Sequence, residues 1–178
     1  MSWGWWLTFA IVLLVLGLWL YWTASRLDHM HHRIDVARAT LDAALLRRSG
    51  AALELATSEQ LDPARSRLLL DAAHQARAAS PEDMESAESD LSETLRAVLA
   101  DRDEVAEVRS RPDVAPLLDE LAAACHKVEL ARRFHNDVVV TARQLRSRRR
   151  VRWLRLAGRA SDNSTVDLDD VPPPALAE

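Results

Sequence analysis

The sequence predicts an all-α protein: an N-terminal transmembrane helix, then an antiparallel up-down-up-down bundle of long helices, then a disordered C-terminal tail. Three observations predict it. Residues Trp3 to Ala24 carry no charged side chain. Beyond them apolar residues recur every seven positions, and no run alternates with period two. Glycine is scarce, at four residues in 178, while alanine, leucine and arginine dominate. The corresponding parts are an anchor over 1–25, a helical bundle over 26–159 and an acidic, proline-rich tail over 160–178.

The anchor comes first. At about 1.5 Å per residue the uncharged run spans roughly 33 Å, enough for a hydrocarbon core of about 30 Å. Trp3, Trp5 and Trp6 mark one headgroup level, and Trp19, Tyr21 and Trp22 mark the other. A cleaved signal peptide would want a basic leading region, a shorter apolar core and a small-residue cleavage site. Arg26, Arg33 and Arg38 follow the run closely and no basic side chain precedes it, so the N-terminus is expected outside and residues 25–178 in the cytoplasm. The expected location is the cell membrane, crossed once.

About 150 residues remain, the size of one domain with its own core. The single cysteine, Cys125, excludes an internal disulfide framework and fits a reducing compartment. The net charge of −4 conceals a partition. Residues 26–142 are acidic on balance, Arg143 to Arg159 hold eight arginines and no acid, and residues 160–178 hold five acids and no base.

The first soluble helix continues from the membrane without a breaker. Leu27, Ile34 and Leu41 repeat at seven, with Met30, Ala37 and Ala44 interleaved, the spacing of a coiled-coil-like seam. Arg48 takes the next seam position, and Gly50 weakens the helix beyond it, so that it resumes or frays to Ala56. Asp62 then caps a short second helix with Pro63 at its first position. Ser80-Pro81-Glu82-Asp83 starts a third, capped by Ser80, in which Met84, Leu91, Val98 and Val105 repeat at seven to about Val108. After Ser110-Arg111-Pro112-Asp113 a long last helix carries Val114, Leu121, Val128, His135 and Ala142 on its seam and runs to Arg150.

Across roughly residues 25–145 the chain resembles the LemA family of bacterial membrane-anchored helical-bundle proteins. The resemblance is carried by the basic pair Arg47-Arg48, by Glu88-Ser89-Asp90-Leu91-Ser92, and by the stretch from Glu129 to Val139 in which Arg132, Arg133, His135, Asn136 and Val139 match the family pattern. His135 stands where the family has a tyrosine, Ala142-Arg143 replaces a second Tyr-Asn pair, and the arginine run replaces a Phe-Pro element. The resemblance implies an antiparallel bundle on a single-pass anchor with no established chemical activity.

Four features are candidates for function. His29-Met30-His31-His32 looks like a metal tract, but consecutive histidines point around a helix and only His29 and His32 share a face, which is short of a ligand set. The tract otherwise reads as a solvated juxtamembrane turn. Cys125 and His126 are residue types of nucleophilic catalysis, yet neighbours on a helix point about 100° apart, and Cys125 lies on the apolar stripe as a structural thiol. There is no glycine-rich phosphate loop, no zinc-spaced cluster and no Glu-x-x-His pair, so no catalytic residue, cofactor or metal is expected and the chain is read as no enzyme.

The arginine stretch is the third candidate. Arg148, Arg149, Arg150, Arg152 and Trp153 have the composition of a helix lying in a membrane interface, and an up-down-up-down bundle returns the end of its last helix to the bilayer. Nucleic acid is the competing partner. The fourth is Arg48, a guanidinium on an apolar seam and costly unless paired. Counted from the membrane along the first and last helices, Arg48 and Glu129 fall at one level, about 32 Å up, so Glu129 is the expected partner, with Asp90 and Asp119 as alternatives.

The reading is therefore a non-enzymatic, membrane-anchored interaction or scaffold module at the cytoplasmic face. Its expected partners are anionic headgroups and an unidentified protein, homo-oligomers are compatible with it, and nucleic acid is not expected. The alternative is a nucleic-acid-binding bundle that uses the arginine-rich end of the last helix.

Overall fold

An uncharged run that leads without proline into a heptad-patterned segment favours one unbroken helix, and the chain forms one. In the computed structural model, which describes residues 3–147 and 164–176, α1 covers Trp3–Thr57. Residues 20, 22–31 and 145–147 are described by their backbone alone. The helix passes through Gly50 without fraying, and the nearest side-chain atom to a Cβ there would be the Arg77 guanidinium at 3.9 Å. It stops where Glu59 takes φ 60°, the left-handed conformation that reverses the chain.

Four more helices follow: α2 Pro63–Ala78, α3 Met84–Val98, α4 Arg102–Arg109 and α5 Ala115–Ser147. The described residues are all-α, without a strand. Asp62 caps α2 as its sequence predicts, accepting from the amides of Ala64 and Arg65. The third helix departs from expectation twice. Ser80 makes the capping contact, its hydroxyl accepting from the Asp83 amide at 3.3 Å, but residues 81–83 form a turn and the helix itself begins at Met84. It then breaks after Val98, and Asp101 caps a separate α4 by accepting from the amides of Asp103 and Glu104.

The chain divides into two compact units. One comprises residues 37–137 and 165–178 and holds the main core. There Leu55 of α1, Leu69 of α2, Leu91 and Leu95 of α3, Val105 of α4 and Leu118 of α5 close on one another. Leu41 and Leu45 of α1 pack with Val128 of α5 in a second cluster. The other unit comprises residues 1–36 and 138–164, with Ile34, Val138, Val139 and Ala142 buried.

Every described side chain from Trp3 to Trp19 is exposed, with no polar face. Among the described residues no helix is long and apolar enough to cross a membrane. The continuous run of described side chains there ends at Trp19, and the span read from the sequence, Trp3 to Ala24, is complete only as backbone.

The tail is the largest correction. Residues 165–176 are not disordered: they form a strap on the main unit that ends in a turn, the Leu176 amide donating to the Pro173 carbonyl at 2.9 Å, with Val166, Leu168 and Leu176 buried in its two apolar clusters. Apolar residues two apart let an extended segment bury one face, and that face offsets the ordering entropy that a uniformly polar tail could not.

Candidate functional site

Arg48 is 1% exposed in the core of the main unit. Leu41, Leu45 and Ala52 are buried on the same helix, so its register forces a guanidinium into apolar surroundings, where it must be answered by acceptors. The answer comes from α3. Arg48 Nη2 donates to the Glu88 carboxylate at 2.5 Å and to the Glu88 carbonyl at 2.9 Å, and Nη1 donates to the Ser92 hydroxyl at 2.8 Å. Arg48 Nε is buried with no acceptor among the described residues.

The partner is thus Glu88, which is 3% exposed, and not Glu129. Glu129 holds Arg133 on its own helix at 2.5 Å and faces His126 at 3.6 Å. Depth along α1 and α5 was a poor guide because the carboxylate comes from a third helix, one turn from the serine that completes the arginine's shell. Burial pushes the Glu88 carboxyl above the usual carboxylate range, and Arg48 opposes that shift without overcoming it. Cys125 lies in the same core, and burial raises its thiol. The reactive thiolate is suppressed, and the structural reading of this cysteine follows.

Ser92 links the buried pair to the strap. Its hydroxyl accepts from Arg48 and donates to the carbonyl of Asp169 at 2.6 Å. The Asp169 amide donates to the Ser89 hydroxyl at 3.0 Å. On α5, Asn136 clamps Val166, donating to its carbonyl and accepting from its amide, both at 2.9 Å. Arg96 holds the Asp169 carboxylate and donates to the Val171 carbonyl at 3.0 Å. Arg132 is bidentate on Asp170, at 2.6 and 2.9 Å. The guanidinium of Arg96 holds the Asp169 carboxyl below its ordinary range.

The remaining motif residues are placed as follows. Arg47 makes a bidentate bridge to Glu120 at 2.5 and 2.9 Å on the exposed surface. Arg133 is mostly exposed. His135 is buried and lies 3.3 Å from the Asn136 side-chain oxygen, beside the strap clamp. Arg48, Glu88, Ser89, Ser92, Arg132 and Asn136, all drawn from the three motif stretches, meet around residues 166–170. Sequence reasoning missed Glu88 as the arginine's partner, gave Arg96 no role, and counted Asp169 and Asp170 only among the acids of the tail.

Of the interface residues, Trp3, Trp5, Trp6 and Trp19 are between 43% and 85% exposed. The Trp22 side chain, Arg148, Arg149, Arg150, Arg152 and Trp153 lie outside the described residues, as do the side chains of His29 and His31. His32 is exposed, and no group of three metal-ligating side chains gathers among the described residues.

No family model, no curated protein and no solved structure matches this chain.

Proposed function

We propose that the chain is a single-pass membrane protein whose helical bundle serves, without enzymatic activity, as an interaction or scaffold module at the cytoplasmic face; the LemA resemblance implies the anchored bundle and no established chemical activity. One observation carries this reading. From Leu7 to Leu18, leucine, isoleucine, valine and phenylalanine stand exposed around the whole circumference of α1, a surface that water does not tolerate and a bilayer does. Tryptophans stand at both ends of the apolar run, where headgroups would meet them. Arg26, Arg33 and Arg38 beyond it favour the cytoplasmic side for the bundle. The arginine-rich stretch from Arg143 to Arg159 supports a second contact with anionic headgroups, each arginine contributing about 1 kcal/mol near the surface.

A non-enzymatic role is supported by how the buried charges are used: Arg48 and Glu88 are turned on each other, and Ser92 on the strap. Alkaline carbonate extraction of membranes from cells producing the full chain tests the anchor. The protein should stay in the pellet and be released by detergent alone; release by carbonate would overturn the reading.

A further inference from the structure

The strap is held as a bound peptide is held. Its buried positions alternate, with Val166, Leu168 and Asp170 turned inward and Asp167 outward, the pattern of an extended strand lying in a groove. Five of its hydrogen bonds from the helices go to main chain: Asn136 takes the amide and carbonyl of Val166, Ser89 and Ser92 those of Asp169, and Arg96 the carbonyl of Val171. Such contacts accept any extended segment. Selectivity comes from two apolar seats in the cluster of Leu41, Leu45 and Val128, and from two arginine sockets, Arg96 and Arg132, for adjacent carboxylates.

We propose that this groove is a peptide-recognition site, that its ligand is an extended segment of a partner protein with two apolar residues two positions apart followed by two adjacent acids, and that the chain's own strap occupies it in cis. This deepens the interaction-module reading by giving the module its surface. A second copy is the weaker occupant, because exchanging identical straps makes the same contacts and still loses association entropy. The strap's covalent tether to the bundle makes a free segment compete poorly while the chain is intact.

The test severs that tether. A protease recognition sequence inserted between Ala160 and Ser161 of the full chain, purified in detergent, leaves every strap residue native after cleavage. The probe is a fluorescent synthetic peptide of residues 164–176, followed by anisotropy. It should bind the cleaved chain at least about tenfold more tightly than the uncleaved one. A peptide carrying Asp169→Asn and Asp170→Asn should compete at least about tenfold less well. Helical circular dichroism should persist during exchange. No binding to the cleaved chain, equal competition by the neutral peptide, loss of helical signal as the strap leaves, or dimers formed by strap exchange would each overturn the proposal. Because the assay runs in detergent, it succeeds or fails independently of the membrane anchor.

Discussion

The Arg48 guanidinium grips Glu88 twice, through the carboxylate at 2.5 Å and the carbonyl at 2.9 Å, in a core where both residues are almost wholly buried. Replacing such a pair by well-packed apolar residues is often neutral, whereas removing one member strands a charge. Its structural value is registry: only one rotation and one height of α3 against α1 bring Glu88 and Ser92 to the arginine.

Arg48→Ala should destabilise the protein by about 3 to 5 kcal/mol, because the Glu88 carboxyl is left buried without its cation. Adding Glu88→Gln should recover part of that loss, whereas adding Glu129→Gln should not. Denaturant unfolding of the two double-mutant cycles measures both. Additive effects at Arg48 and Glu88 would show that the pair is not coupled.

Asn136→Ala should loosen the strap. The substitution removes the side-chain partner of both polar main-chain groups of Val166, a residue 1% exposed, and should cost about 1 to 3 kcal/mol. Hydrogen exchange at the Val166 amide should accelerate while amides in the middle of α3 keep their protection.

Acid should release the strap before it unfolds the bundle. The Asp169 carboxyl is held low by Arg96, so its contribution is fully present above the ordinary aspartate range and is lost as pH falls through the depressed folded value. Glu88 works in the opposite direction. Its folded value is raised, so its contribution declines as pH climbs from the ordinary glutamate range through that raised value, and acid relieves its burial. Lowering pH from the ordinary aspartate range, about 4, downward should therefore progressively weaken amide protection at Asp169 while far-ultraviolet circular dichroism still reports helix.

Glu59→Gly should stabilise the protein by about 1 kcal/mol, since Glu59 holds the left-handed conformation that ends α1 and glycine adopts it without a Cβ clash. Thermal unfolding checks the sign. A loss of stability would mean that the glutamate side chain contributes more than the strain it bears.

Much of this fold is legible in the sequence because helical periodicity is a local property. Arg48 stood out as a charge on an apolar seam, and Asp62-Pro63 announced the start of α2. The break between α3 and α4 was hidden because Val98 and Val105 are both buried on either side of it, so the heptad count runs through the interruption undisturbed. The capping pattern of Asp101 followed by Glu104 was the available signal. Partner choice was not legible. Arg96 and Arg132 look like ordinary surface charges until the fold brings Asp169 and Asp170 to them from more than thirty residues away. Val166-Asp167-Leu168-Asp169 alternates over only four residues, too few to count as a period-two run against the acidic, proline-rich composition around it.

The most direct measurement on the central claim is the sidedness of the two ends of the chain. On a Cys125→Ser background, Ser2→Cys and Ala175→Cys are probed separately in intact cells with a membrane-impermeant thiol reagent. A single-pass anchor with a cytoplasmic bundle predicts that Ser2→Cys is labelled and that Ala175→Cys is labelled only after permeabilisation. Labelling of Ala175→Cys in intact cells with Ser2→Cys protected would contradict it.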